Sequence, residues 1–283
     1  PISTSIGIWG QEHDRWFRSN QDCLQFIRLC SLQLAAIFHT WLVVYRVFPI
    51  YQDSEILEFL APIVPDKGSL VSGAVRIELN QNNEIEELWN SVITIDKKLN
   101  LSTYDKHHLV PFGEFVPFQK FIPFIQKLTG GMMDFTSGKD NKIITLENNI
   151  SFRPLICYEI IFFNDILDSF KPSFIAHLTN DSWFGNSSGP YQHFEISRMR
   201  AIENGLPMLR IANNGISGFI DPVGRILEKT ELNEVTILDN FIPQKLPLET
   251  LFSKYPLCGL LLWVYFVLIL QLFVTFFIYI TRK

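Results

Sequence analysis

Apolar and polar residues alternate over residues 70–77 and again over residues 88–95, on either side of a polar loop. Alternation with a period of two is typical of a strand with one buried face, so these stretches predict a β-hairpin. Short apolar runs predict further strands at residues 143–146, 150–156, 173–179, 208–212 and 217–220. Apolar positions at helical spacing predict helices at residues 49–60, 121–128 and 192–204. Strands that alternate with helices indicate the α/β class or a layered α-β-β-α sandwich.

The two ends of the chain differ from this middle part. Before residue 47 the apolar residues follow no sustained period, although residues 23–44 are apolar enough for a helix. Residues 257–280 contain no charged side chain, and about 20 apolar residues suffice to cross a bilayer, so they predict a membrane-spanning helix. Arg282 and Lys283 follow it, which by the positive-inside rule places the C-terminus in the cytoplasm and the α/β part on the other face. A buried core helix is the alternative.

Composition and charge exclude several classes of function. Apolar residues make up 47% of the chain, which is high for a soluble globular protein. The formal net charge is −5 and no basic cluster occurs, so the sequence gives no sign of nucleic-acid binding. The four cysteines lack the spacing of metal ligands, and neither a disulfide framework nor a metal site is expected. We expect no cofactor.

Cys157 is the first candidate for chemistry. It ends an apolar run with β-branched members and is followed by Tyr158 and Glu159, which predicts a buried strand that turns into a helix. Such a tip presents a thiol to a pocket, and the backbone N–H after it can bind an oxyanion. A buried core cysteine is the alternative.

Three charged residues qualify as partners of this thiol, and one of them, Glu159, lies two positions after it. Lys106 comes before a loop punctuated by proline and glycine, and a lysine beside a thiol favours the thiolate and stabilises an oxyanion. Glu114 is a lone acid among apolar residues and prolines of the same loop. A competing scheme pairs the thiol with His107 or His108 as a base. His193 fits the lining of a substrate pocket better than the role of a base.

Several segments resemble the carbon-nitrogen hydrolase (nitrilase-like) domain of the bacterial apolipoprotein N-acyltransferase family. The longest are residues 104–117 (Tyr-Asp-Lys-His-His-Leu-Val-Pro-Phe-Gly-Glu-Phe-Val-Pro), 156–159 (Ile-Cys-Tyr-Glu) and 180–185 (Asn-Asp-Ser-Trp-Phe-Gly). Residues 192–193, 198–203 and 213–215 resemble it too, and the resemblance runs from about residue 48 through the terminal apolar helix. The blocks that contain Phe-Gly-Glu and Trp-Phe-Gly separate this family from soluble nitrilases and amidases.

The resemblance implies a nitrilase-like α-β-β-α sandwich followed by a C-terminal transmembrane helix, and a site of the Glu-Lys-Cys type. By that resemblance Cys157 is the nucleophile, and Lys106 stabilises the oxyanion together with the backbone N–H of Tyr158. Glu114 is a supporting acid, and Tyr158 and Glu159 shape the pocket. The candidates for the substrate pocket are Trp183, Phe184 and His193.

The resemblance also implies a reaction. The enzyme would take a fatty acyl chain from a phospholipid as a thioester and transfer it to the N-terminal diacylglyceryl-cysteine of a lipoprotein. Its expected location is the bacterial inner membrane, with the nitrilase-like domain on the periplasmic face. The alternatives are an amidase that acts on a small amide and an inactive membrane remnant of a decaying gene.

One expected residue is missing from the N-terminal part. The family's general-base glutamate lies in a Trp-Pro-Glu stretch just before a Phe-Pro pair, and Tyr45 occupies its place here. We therefore expect residues 1–46 to be an atypical, truncated or out-of-frame segment and the activity to be impaired. The nitrilase-like domain is expected at residues 47–245, and the helix with a short basic tail at residues 246–283.

Overall fold

A three-stranded antiparallel sheet contains the predicted hairpin. The computed structural model describes residues 26–30, 64, 68–117, 133–139, 143–146, 149–162, 172–256 and 258–281. Strands β2 (Ser69–Leu79) and β3 (Ile85–Asp96) pair antiparallel, and β4 (Leu101–Asp105) pairs antiparallel with β3. The hairpin prediction is confirmed. Asn83 in the connecting turn has φ 62°, which asparagine tolerates better than most residues.

A second sheet carries the part of the chain that contains Cys157. Its strands are β5 (Ile144–Thr145), β6 (Ser151–Ile156), β7 (Phe174–Asn180), β8 (Met208–Asn213), β9 (Gly218–Ile220) and β10 (Ile226–Lys229). They lie in the order β10-β9-β8-β7-β6-β5. Strands β6, β7 and β8 are parallel, whereas the outer pairings are antiparallel. The carboxyl ends of the three parallel strands therefore meet at one edge of the sheet.

The described elements form a helix layer and two sheet layers. Helix α1 (Gly189–Asn204) connects β7 to β8 and ends at Gly205, whose φ of 63° suits a glycine after a helix. One core lies between the two sheets and includes Val92, Tyr104, Ile156, Ala176, Leu178, Leu209 and Ile211. The other lies between the six-stranded sheet and α1 and includes Leu155, Ile175, Phe194, Ala201 and Met208. The helices predicted at residues 49–60 and 121–128 lie outside the described residues.

A short strand lies in the N-terminal part that had no clear pattern. Strand β1 (Phe26–Cys30) pairs antiparallel with β11 (Ile237–Phe241), with Phe26 opposite Phe241 and Cys30 opposite Ile237. The interpretation of residues 23–44 as one helix is therefore wrong for these residues. A partner strand two hundred residues away supplies the backbone hydrogen bonds, and no local pattern could reveal it.

The chain continues through the one-turn helix α2 (Leu251–Lys254) into the long helix α3 (Cys258–Thr281). Within α3, Leu261–Ile280 is long and apolar enough to cross a membrane, by length and composition alone. None of that stretch is buried against the rest of the described chain, which contradicts the alternative of a buried core helix.

Candidate active site

Cys157 lies at the tip of β6, as the sequence predicts. The strand ends at Ile156, and Cys157–Ile161 form a single turn of 3₁₀ helix. The φ of Cys157 is 49°, a left-handed conformation that costs a residue other than glycine about 1–3 kcal/mol. The surroundings must hold this conformation in place. The thiol is half-buried at the carboxyl edge of the parallel strands.

Lys106 follows β4 directly and is 1% exposed. Its Nζ lies 2.7 Å from Oε2 of Glu114. Glu114 also accepts hydrogen bonds from the backbone N–H of Val110 at 2.8 Å and from Nδ2 of Asn90 at 3.0 Å. The loop after β4 thus folds around Glu114, and this carboxylate fixes the end of the lysine side chain.

Glu159 is fully buried and connects the Lys106 loop to the turn of Cys157. Its Oε1 accepts hydrogen bonds from the hydroxyl of Tyr104 at 2.9 Å and from the backbone N–H groups of His107 at 2.7 Å and His108 at 3.2 Å. Its Oε2 accepts from the backbone N–H of Ile156 at 2.7 Å. One carboxylate therefore fixes the residue before Cys157 relative to the two residues after Lys106.

Burial raises the pKa of Glu159 above its ordinary value, and the hydrogen bonds together with the charge of Lys106 offset only part of this effect. Burial lowers the pKa of His177 well below its ordinary value, and the positive charge of Lys106 makes a smaller contribution in the same direction. The hydrogen bonds of Glu159 to His107 and Ile156 place the Lys106 loop beside the turn that carries the thiol. Because Glu159 has no exposed surface, it supports the backbone around the site and does not contact a substrate.

In a Cys-His dyad the imidazole contacts the thiol, whereas the rings of the two adjacent histidines contact other groups. Nδ1 of His107 donates to the carbonyl oxygen of Gly138 at 2.8 Å, and the ring of His108 stacks on Phe162 at 4.3 Å between centroids. The histidine beside Cys157 is instead His177. Its Nε2 lies 3.0 Å from the backbone carbonyl oxygen of Cys157, so this nitrogen is bonded to the main chain.

The three candidates for the substrate pocket have different surroundings. Trp183 and Phe184 are exposed, by 58% and 42%, on the single turn that follows β7 at the same sheet edge as Cys157. His193 is buried instead, and its Nδ1 donates to Oδ1 of Asp181 at 2.9 Å. Its ring lies 5.6 Å from that of Phe184 between centroids, so His193 is in contact with another of the three candidates although its own surface is buried.

Sequence reasoning missed a group of buried polar residues on the α1 side of the six-stranded sheet, namely His177, Asp181 and Arg210. Arg210 donates through Nη2 to Asp181 at 2.6 Å and through Nη1 to His177 at 2.8 Å. A signal was present, because His177 and Arg210 each interrupt an otherwise apolar strand. Charged and polar groups in a buried strand need partners.

A thiol, a buried ammonium group at the start of the adjoining loop and a backbone N–H after the thiol are components that nucleophilic acyl transfer uses. In a reaction of this type a thiol attacks a carbonyl carbon, and a positive charge stabilises the oxyanion that forms. Among the described residues, no cluster of three or more His, Cys, Asp or Glu side chains could hold a metal ion.

Comparison with known proteins supports this assignment of chemistry. A family model described as carbon-nitrogen hydrolase matches residues 35–245. The apolipoprotein N-acyltransferase of Rickettsia bellii (strain RML369-C) is 44% identical over 220 residues, which cover 77% of this chain and 43% of that protein. The apolipoprotein N-acyltransferase of Rickettsia typhi is 42% identical over 217 residues, which cover 76% and 43%. The chain thus spans less than half the length of these relatives.

The fold also matches a solved structure. Nit3 of Saccharomyces cerevisiae, a member of branch 10 of the nitrilase superfamily, has a TM-score of 0.54 at 17% identity. The match covers 77% of this chain and 90% of that chain. At this identity the similarity shows the fold alone, which is the nitrilase-like α/β fold expected from the sequence.

Proposed function

The chain belongs to the carbon-nitrogen hydrolase family, and on this premise we propose that it is an N-acyltransferase that works through a thioester on Cys157. The observation that carries the proposal is the arrangement around Glu159, which fixes the Cys157 turn and the Lys106 loop to each other. The names of the relatives support acyl transfer to the amino terminus of a lipoprotein over hydrolysis of a small amide.

The reaction has two steps. The thiol proton passes to a base, and the sulfur attacks the carbonyl carbon of a phospholipid ester. The bond from that carbon to the glycerol oxygen breaks, and the oxygen takes up a proton. In the second step the α-amine of a diacylglyceryl-cysteine attacks the thioester carbon, the carbon–sulfur bond breaks, and the amine loses a proton as an amide forms. Lys106 and the N–H of Tyr158 stabilise both oxyanions.

The base of the first step is the one role for which the sequence has no matching residue at the expected position. The expected glutamate position holds Tyr45, which lies outside the described residues. Without a base, we expect thioester formation to be slower by about 10²–10⁴-fold than in a relative that has one. The division into residues 1–46, 47–245 and 246–283 stays a prediction.

The proposed setting is the bacterial inner membrane. Both substrates are lipids, and α3 is long enough to hold the enzyme in the bilayer that contains them. With Arg282 and Lys283 on the cytoplasmic side, the nitrilase-like domain faces the periplasm. Trp183 and Phe184 would then contact the acyl chains, since they are exposed apolar side chains at the edge that carries Cys157.

The proposal is tested by labelling the purified chain with a phospholipid that carries an alkyne in its acyl chain. We expect a label that hydroxylamine removes, as it does from a thioester, and that is absent from Cys157→Ala. The matched control is Cys258→Ala, because Cys258 is an exposed cysteine of α3 away from the site. This variant should label like the unaltered chain.

The two alternatives give other results. An amidase would release ammonia from a small amide through Cys157 and show no lipid label. An inactive remnant would be folded by circular dichroism and give neither product. Either result overturns the proposal.

A further inference from the structure

Behind the Cys157 turn lies a row of buried polar groups whose role in the reaction has not been assigned. His177 and Arg210 have no exposed surface, and Asp181 is 1% exposed. The Arg210 guanidinium donates to Oδ2 of Asp181 at 2.6 Å, and its other terminal nitrogen lies 2.8 Å from Nδ1 of His177. Nε2 of His177 then reaches the carbonyl oxygen of Cys157 at 3.0 Å. The row thus ends on the backbone of the nucleophile.

The contacts of His177 determine where its proton lies. A guanidinium nitrogen can only donate, so Nδ1 must accept from Arg210 and carries no proton. The proton is therefore on Nε2, which donates to the Cys157 carbonyl. Burial and the charge of Arg210 lower the pKa of His177 well below its ordinary value, which keeps the ring neutral. Ser197 is consistent with this state, because its Oγ accepts from Arg210 at 2.9 Å and donates to the carbonyl of His193 at 3.1 Å.

The bonded carbonyl belongs to the peptide unit that also contains the N–H of Tyr158. A peptide unit is planar and trans, so its C=O and N–H point in opposite directions. His177 binds this oxygen on the α1 side of the sheet. It therefore fixes the N–H of Tyr158 so that it points in the opposite direction. This orientation needs support, since Cys157 has a left-handed φ of 49°.

We propose that His177, held by Arg210 as the tautomer with its proton on Nε2, is a positioning residue that directs the N–H of Tyr158 at the oxyanion. The inference rests on the proposed acyl transfer at Cys157. It assigns to the buried row a role in stabilising the transition state, beyond the packing of the core.

The test compares two amide variants that differ by one methylene. In His177→Gln the side-chain nitrogen can reach about as far as Nε2 and donate to Cys157. In His177→Asn it reaches only about as far as Nδ1. Two reactions are measured on each full chain, namely acylation by p-nitrophenyl acetate, seen as a burst of p-nitrophenolate, and alkylation of Cys157 by iodoacetamide. Acylation forms an oxyanion, whereas alkylation displaces iodide from a saturated carbon and forms none.

We expect His177→Asn to be acylated about 10²–10³-fold more slowly, the loss typical of one oxyanion donor, with its alkylation rate unchanged. His177→Gln should recover most of the acylation rate. Equal acylation of His177→Asn and the unaltered chain would overturn the inference, as would a parallel loss of both reactions, which indicates a disturbed thiol. If p-nitrophenyl acetate acylates the unaltered chain but phospholipid does not, the lipid substrate is wrong while the role of His177 is still decided. A chain that is alkylated but acylated by neither donor overturns both.

Discussion

At the scale of single residues, the ammonium group of Lys106 is almost closed off from water, and Glu114 is the acid that holds it. A buried charge that loses its partner is strongly destabilising, by about 3–5 kcal/mol when one member of a buried pair is removed. The sequence placed both residues in one loop, since they are eight positions apart. It could not show that Asn90 and Val110 also bond to Glu114, because these contacts follow from the folded loop.

The first prediction concerns Glu114→Gln, which keeps the size of the side chain and removes its charge. We expect thioester formation to fall about 10²-fold, since a misplaced Lys106 no longer meets the oxyanion. The measurement is the rate of hydroxylamine-sensitive labelling. Glu84→Gln, an acid in the exposed hairpin turn, is the control and should react normally. Equal rates in the two variants would show that Lys106 does not depend on Glu114.

A second residue-scale prediction concerns pH. Burial opposes the charged form of Asp181, but the hydrogen bond from His193 and the charge of Arg210 outweigh it and lower the pKa of Asp181 below its ordinary value of 3.8. A carboxyl group with a lowered pKa binds fewer protons in the folded than in the unfolded state. Its contribution to stability is therefore complete above pH 3.8 and is lost as the pH falls through the folded-state pKa.

Urea unfolding of the chain and of Asp181→Asn at several pH values measures this contribution. We expect the unaltered chain to be more stable by a roughly constant amount between about pH 5 and 7, on the order of 3–5 kcal/mol for a broken buried pair. The difference should shrink below pH 3.8. A difference that stays constant or grows in acid contradicts the assigned direction.

At the scale of elements, the strands followed from local alternation. Residues 70–77 were predicted as a strand and lie within Ser69–Leu79. This prediction was possible because neighbouring residues show the alternation of a strand with one buried face. The bonds of Glu159 could not be predicted in this way. Three of its four donors come from β4 and the following loop, about fifty positions earlier in the chain, so they meet it only after the two sheets pack. The sequence suggested that Glu159 shapes the pocket, whereas its carboxylate lies buried between these elements.

The strength of this connection between elements can be measured with Glu159→Ala. The variant leaves four donors without their acceptor, and we expect a loss of at least about 3 kcal/mol in the free energy of unfolding. Tyr104→Phe removes one of the four donors and should cost about 1 kcal/mol. Both values come from urea denaturation. If Glu159→Ala is no less stable than Tyr104→Phe, the carboxylate does not hold the two elements together.

At the scale of the whole molecule, the resemblance of short motifs predicted the nitrilase-like fold, and α3 followed from its unbroken apolar run. The pairing of β1 with β11 was not predictable, because it joins two segments that lie more than 200 positions apart through backbone groups that every residue has. The packing of the two sheets also brings the loop after Lys106 and the turn of Cys157 onto the same Glu159 carboxylate. The position of Lys106 before a proline-rich loop made it a candidate partner of the thiol, and the family resemblance then implied the pairing.

The membrane assignment leads to a prediction for the intact chain. With 24 residues, α3 is about 36 Å long, which exceeds the hydrocarbon thickness of a bilayer of about 30 Å. We expect the full chain to float with phosphatidylcholine vesicles in a density gradient. A chain shortened to residues 1–256 should stay in the protein fraction while keeping its circular dichroism signal from the sheets. Flotation of the shortened chain to the same extent would show that another surface binds the membrane.

The alternation of β7 restricts which insertions and deletions in the gene the site can tolerate. Its alternation directs Leu178 and Ala176 towards the other sheet and His177 towards α1. A shift of one residue along the strand would exchange these faces. An in-frame insertion or deletion of a single codon within β7 would therefore abolish the site while leaving every catalytic side chain in the sequence. We expect the fold to tolerate the same change in the exposed turn at residues 81–83. The length of β7 therefore matters to the candidate active site as much as the presence of Cys157 does.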